Sequence, residues 1–195
     1  VNYENLKELR RRTLAPYIKC KSALIDSNGD IEKAIKLLLE QGFKKQRRLL
    51  GNPTDSGIVH AYVHPGDKIG VLVELKCQTD FVARTEEFRT FAHELSLQVA
   101  SMKPKYISRD DVLQEDIDKE KELLLKNMKR KKMPDEDIKK ALPSAIERWY
   151  AEICLLEQPY IKNSIKSVKD VLAELINKVG ENCRISKFSR WEIGE

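Results

Sequence analysis

Apolar positions recur every three or four residues through residues 1–43 and predict three short helices there. Asn5–Arg12 places Leu6 and Leu9 on one side. Tyr17–Asp26 carries Ile18, Ala23 and Leu24 and stops at Asn28-Gly29, a pair suited to the left-handed end of a helix. Asp30 is placed to cap a third helix, with Ile31, Ala34, Ile35, Leu38 and Leu39 at helical spacing and Gly42 closing it. Three helices of this length predict a small bundle.

The period then drops to two. Ile58–His64 and Lys68–Lys76 read as strands joined by a Pro65-Gly66-Asp67 turn. In the second, Ile69, Val71, Val73 and Leu75 alternate with Gly70, Leu72 and Glu74, so one face is strongly buried. Helical spacing returns after Val82. Thr85 is placed to cap a helix with Glu86 and Glu87 in its first turn and Phe88, Phe91, Ala92, Leu95 and Val99 along its stripe.

Residues 103–142 are polar and lysine-rich, with a helix expected over Ile117–Met128 and Pro134 ending that region or starting the next helix. Pro143 is expected in the first turn of a helix through Trp149 and Ile153 to Leu156, with Pro159 terminating it. Val168–Val179 forms the last helix, followed by Gly180. Arg184–Ile193 alternates as a third strand, with a bulge near Phe188. The class is therefore α+β: a helical bundle, then a core with a small antiparallel sheet of about three strands packed with helices.

Gly51–Gly57 is almost all turn formers, so the domain boundary is placed there: residues 1–51 helical with a basic linker, residues 52–195 the α+β core. Charge divides at the same point. Residues 1–51 hold 12 Lys or Arg against 6 Asp or Glu, whereas the remainder is nearly balanced at 24 against 25. The basic excess of the first quarter points to an acidic partner surface. The run Lys44-Lys45-Gln46-Arg47-Arg48 reads as a solvated helix end rather than a nucleic-acid contact, because no aromatic residue interleaves it.

No apolar run approaches the roughly 20 residues a membrane helix needs, so no membrane association is expected. Val1-Asn2-Tyr3-Glu4 lacks the layout of a secretory signal, so nothing points to export, and a cytoplasmic location is expected. Cys20, Cys77, Cys154 and Cys183 lie 57, 77 and 29 positions apart and form no CxxC pair. They read as thiols in a reducing compartment, a disulfide being the lesser alternative.

Catalytic and metal chemistry find little support. His60 and His64 have chelating spacing for a helix, but on a strand their rings stand about 13 Å apart, too far to share an ion. His93 has no nucleophile or acid at a recognised spacing. No GxSxG, P-loop or glycine-rich dinucleotide turn occurs. Neither an enzyme, a metal site nor a cofactor is expected.

One segment is unlike ordinary core. In Cys77-Gln78-Thr79-Asp80-Phe81-Val82-Ala83-Arg84 a buried strand ends in polar residues able to cap a turn, followed by a large aromatic. On composition Phe81 folds back into the core, since phenylalanine is usually buried.

The stretch VLVELKCQTDFVARTEEF, Val71 to Phe88, resembles the signature of the elongation factor Ts family. So do LKELRRRT (Leu6–Thr13), CKSAL (Cys20–Leu24), NGDIEKAI (Asn28–Ile35), EICLLEQPYIK (Glu152–Lys162), VGEN (Val179–Asn182) and FSRWEIGE (Phe188–Glu195), in the family's order. The resemblance implies a ubiquitin-associated-like three-helix N-terminal domain and an α+β core. It implies a non-enzymatic guanine-nucleotide exchange factor whose partner is the GTPase elongation factor Tu. The loop matching Thr79, Asp80, Phe81 and Val82 would enter the GTPase beside its magnesium site, with Phe81 as a wedge. Arg10, Tyr17 and Ile18 of the N-terminal domain would hold the nucleotide domain. The likeness is to the family's short form, with one core module, which implies a homodimer. An RNA- or ribosome-associated basic protein, or a binder of the GTPase without exchange activity, is the alternative.

The chain departs from the family's pattern at some positions. Thr13-Leu14-Ala15-Pro16 replaces T-G-A-G, Lys19 stands where aspartate is common, Lys44–Arg48 replaces K-A-A-K-K, and Pro143-Ser144-Ala145 replaces E-G-R. None touches Thr79–Val82.

Overall fold

The computed structural model describes residues 2–13, 17–49 and 51–194, the side chains of 39 and 41–48 excepted. The turn at Leu14-Ala15-Pro16 and the side chains of the Lys44–Arg48 run lie outside the described residues. The chain divides into two compact units, Val1–Asn52 with Ile176–Asn182, and Pro53–Leu175 with Cys183–Glu195.

In the first unit, α1 (Tyr3–Thr13), α2 (Tyr17–Asp26) and α3 (Ile31–Leu49) surround Leu6, Leu9, Cys20, Ala23, Leu24 and Ala34. Ile31, Ile35 and Leu38 pack against that cluster. The turn from α2 to α3 is made as its sequence dictates. Asn28 and Gly29 take φ of 52° and 85°, and Asp30 Oδ1 accepts from Lys33 N at 3.1 Å as the cap of α3. The helix does not close on Gly42; it continues to Leu49. A single mid-helix glycine costs only about 1 kcal/mol, too little to stop a helix flanked by good helix formers. Asn182 Nδ2 donates to Asn52 O at 2.9 Å and ties the returning segment to this unit.

The second unit is built on the antiparallel sheet β1 (Ser56–Val63), β2 (Ile69–Cys77), β5 (Cys183–Glu192), with β2 central. The β1–β2 turn takes positive φ at Gly66 (97°) and Asp67 (56°), and His64 N donates to Ile69 O at 2.9 Å. Its helices are α4 (Asp80–Ala83), α5 (Glu86–Met102), α6 (Gln114–Arg130), α7 (Asp135–Ile153) and, as far as Leu175, α8 (Val168–Val179), and β3 (Pro159–Tyr160) pairs with β4 (Asn163–Ser167). Alternation along β2 buries Val71, Val73, Leu75 and Cys77 beneath α5, whose Phe88, Phe91, Leu95 and Val99 are buried in turn. Each such side chain contributes about 1.5–3 kcal/mol.

Other features of this unit differ from the sequence pattern. Pro143 lies inside α7, not in its first turn, and α7 ends at Ile153. Pro143 and Lys139, the residue whose carbonyl loses its helical donor, are both exposed, so the break falls on the solvent side of the helix. The irregularity in β5 falls at Ser186, because Glu74 pairs with Lys187 and Leu75 with Ile185. That is two residues before Phe188. The β3–β4 hairpin was not anticipated; a two-residue strand is too short for any period to show.

Two polar clusters tie α5 and α7 to the segment that leads into β3. Gln98 and Gln158 are fully buried. Gln98 Nε2 donates to Gln158 Oε1 and to Pro159 O, both at 3.1 Å, and its Oε1 accepts from Ile161 N at 2.8 Å. Gln158 Nε2 donates to Glu152 O (2.8 Å) and Met102 O (3.3 Å). Arg109 grips Glu147 with two nitrogens at 3.0 and 2.7 Å, reaches Glu157 at 3.0 Å, and stacks 4.8 Å over the Tyr150 ring. Glu147 is held below the usual carboxylate range by that guanidinium.

Candidate functional site

Strand β2 ends at Cys77, and the chain turns at once into the four-residue helix α4. Thr79, in extended conformation, is its N-cap: its Oγ1 accepts from Val82 N at 3.4 Å, and its carbonyl accepts from Ala83 N at 3.2 Å. Cys77 Sγ also donates to Thr79 O at 3.2 Å. At the other end Arg84 N donates to Asp80 O (3.2 Å), and Thr85 Oγ1 donates to Val82 O at 2.8 Å. Thr85 then caps α5 by accepting from Phe88 N at 3.4 Å. One threonine thus closes α4 and opens α5.

This frame sorts the side chains. Val82 and Ala83 are each 3% exposed and anchor the turn in the core, while Phe81 is 80% exposed. The composition-based expectation of a buried Phe81 therefore fails. A large apolar ring thus stands in water on a turn capped at both ends, which is uncommon for phenylalanine. Thr79 and Asp80 are exposed beside it, and Asp80, Phe81, Arg84 and Thr85 line an open depression of about 430 Å³. Of the four loop residues singled out from sequence, three form the surface and Val82 forms its root. The cap is Thr79, not Asp80. Thr85 and Cys77, which fasten the loop from both ends, were not singled out for it, although Thr85 was legible as the cap of α5.

In the first unit Arg10 lies exposed in the last turn of α1. Tyr17 (49%) and Ile18 (79%) are exposed in the first turn of α2. Two apolar side chains at the start of a helix, turned away from the Cys20–Ala23–Leu24 face, form a second outward-facing apolar feature.

The histidines do not form a metal centre of the usual kind. His60 Nε2 lies 3.2 Å from His93 Nδ1, whereas His64 Nδ1 is engaged 2.9 Å from Tyr62 Oη. Burial, and then the charge of His93, lowers the pKa of His60. Among the described residues no group of three or more His, Cys, Asp or Glu could hold a metal ion. Among them, too, no helix is long and apolar enough to cross a membrane.

The other face of the sheet carries Val59 (68% exposed), Ala61, Val63 (60%), Leu72 (39%) and Trp191 (58%). Register places them together: Ala61 opposite Leu72, Val63 opposite Gly70, and Gly70 opposite Trp191.

Comparison with known proteins agrees with these features. A family profile described as Elongation factor TS matches residues 22–195. The chain is 48% identical over 195 residues to a protein named elongation factor Ts from Caldanaerobacter subterraneus, covering all of this chain and 98% of that one. Proteins of the same name from Carboxydothermus hydrogenoformans (45% identical, all of this chain, 90% of the relative) and Petrotoga mobilis (46%, all of this chain, 99%) are similar to it along their length. With its helical N-terminal unit, its small antiparallel sheet and the capped Thr79–Val82 turn, the chain belongs to the elongation factor Ts family of translation elongation factors.

Proposed function

We propose that this protein is the guanine-nucleotide exchange factor of elongation factor Tu, binding the GDP-bound GTPase and promoting GDP release without covalent chemistry of its own. The observation that carries the reading is the exposure of Phe81 on a turn whose every backbone end is capped. A turn whose backbone is already capped loses little backbone entropy on docking, so more of the ring's burial in a partner goes into binding.

In this reading Phe81 enters the GTPase beside its magnesium ion. Magnesium bridges nucleotide phosphates and protein oxygens, so disturbing its ligands removes a large electrostatic part of GDP affinity. Thr79 and Asp80 flank the ring, and Val82 holds it from below. Arg10, Tyr17 and Ile18 give the N-terminal unit its own grip on the nucleotide domain. Linkage requires the converse: nucleotide binding weakens the factor's hold, which lets it leave unchanged. The same reading places the protein in the cytoplasm, where translation occurs, and makes it a homodimer through the apolar sheet face.

Stopped-flow release of fluorescent GDP from the cognate elongation factor Tu tests the proposal. Acceleration by the parent protein and not by Phe81→Ala is expected. Binding that falls steeply with salt, requires residues 1–51 and ignores Phe81 would instead favour a basic RNA- or ribosome-associated protein.

A further inference from the structure

The β2–β5 ladder ends on a pair that sequence spacing could not reveal. Cys77 and Cys183 are direct cross-strand partners, 106 positions apart in sequence and each at most 1% exposed. They share the buried face of the sheet with Leu75 and Ile185, the pair two positions along the ladder. Directly opposed antiparallel residues hold their Cα atoms about 4.5–5.5 Å apart. That lies inside the span of about 4.4–6.8 Å that a disulfide bridges without moving the backbone. Both residues are thiols here.

We propose that Cys77 and Cys183 are a thiol–disulfide site, which a low-molecular-weight disulfide such as oxidised glutathione closes into an intrachain bond. The step balances. One protein thiolate attacks the oxidant's S–S bond and expels one glutathione thiolate. The second then attacks the mixed disulfide and expels the other. One S–S bond forms as one breaks, and two protons pass with two electrons to two molecules of glutathione.

The pair is the last of the β2–β5 ladder, and residues 180–182 before Cys183 lie outside any helix or strand. Reaction with an oxidant therefore needs only a local opening of this end rather than unfolding of the whole sheet. Oxidation would also alter the neighbouring turn. Closing the bond removes the Cys77 S–H that donates to Thr79 O, and Thr79 caps α4. The chemistry itself does not depend on the exchange reading.

The test uses the full chain, reduced, freed of reductant and incubated with oxidised glutathione under native conditions. Alkylated, non-reduced digests are then mapped by mass spectrometry. A linked peptide joining Cys77 to Cys183, loss of two of the four thiols, and reversal by dithiothreitol are expected. Cys183→Ser is expected to yield no linked peptide. A Cys20→Ser, Cys154→Ser double variant, which retains only the pair, is expected to link as the parent does. Four intact thiols, glutathione adducts without a link, bonds between chains, or linkage only in denaturant would each overturn the proposal.

Discussion

Phe81 and Val82 are neighbours in sequence and opposites in environment, the first 80% exposed and the second 3%. Truncating each therefore gives different outcomes. Phe81→Ala is expected to change stability by no more than about 0.5 kcal/mol, as for an ordinary surface position. It should still abolish most catalysed GDP release. Val82→Ala removes two buried carbon groups at about 0.8 kcal/mol each, and its cavity adds to that. Denaturant melts and exchange rates on the same preparations separate the two effects. A large loss of stability in Phe81→Ala, with normal exchange per folded molecule, would count against the wedge.

The turn's shape depends on Thr79 rather than Asp80, because Thr79 Oγ1 is the atom that meets Val82 N. Thr79→Ala is expected to destabilise by about 1 kcal/mol, the usual cost of a lost N-cap, and Thr79→Ser to restore most of it. Asp80→Ala should leave the melt near the parent's. Urea titrations of the three variants decide this; a larger loss for Asp80→Ala than for Thr79→Ala would show that the cap is misassigned.

The sequence pattern is most informative where local chemistry and burial agree. Helices α2 and α8 begin and end where their apolar stripes and glycines predict, and Thr85 caps α5 as expected. It is least informative where tertiary context outweighs a local stop signal. Gly42 and Pro143 both lie within helices that read as shorter on propensity alone. The exposure of Phe81 runs against composition and was legible only through resemblance to the family. The Cys77–Cys183 pairing depends on the register of strands more than 100 positions apart, which no spacing encodes.

The Gln98–Gln158 pair is costly to break on one side only. Gln98→Leu would leave Gln158 Oε1, Pro159 O and Ile161 N without their present partner inside the unit. Gln158 is fully buried, so its orphaned oxygen costs about 1–3 kcal/mol, whereas Pro159 and Ile161 are exposed and water can meet their backbone groups; a loss of at least about 1 kcal/mol is expected. Because α4 leads directly into α5, hydrogen exchange should also quicken at Phe81–Phe88. A variant as stable as the parent would show that water replaces the amide.

Acid stability should report on Glu192, which Lys103 and then Arg190 hold down from 4.5 to about 2. Its folded-state pKa lies below the unfolded one, so its contribution is present above pH 4.5 and is lost as pH falls toward 2. Glu192→Gln is expected to lose less stability than the parent across that window and to match its pH dependence above it. Melting temperatures measured from pH 2 to 7 check this; parallel curves would show that the ion pairs are screened by solvent.

The uncovered sheet face makes the last prediction. Val59, Val63, Leu72 and Trp191 occupy the side of β1, β2 and β5 opposite α5, and water meets apolar surface there on all three strands. A second copy can cover it by packing sheet on sheet, about 10 Å apart with strands inclined near 30°, in a twofold arrangement where each patch meets its own image. The chain, 22.6 kDa, is then expected to scatter light as a dimer above micromolar concentrations. Val59→Lys should shift it to monomer without unfolding it, because that side chain is 68% exposed within one chain. Trp191 supplies an independent signal. In a Trp149→Phe background its emission should move to shorter wavelength as concentration rises and the ring leaves water. A parent protein that remains monomeric, with Trp191 emission unchanged by concentration, would show that this face is not an interface between copies.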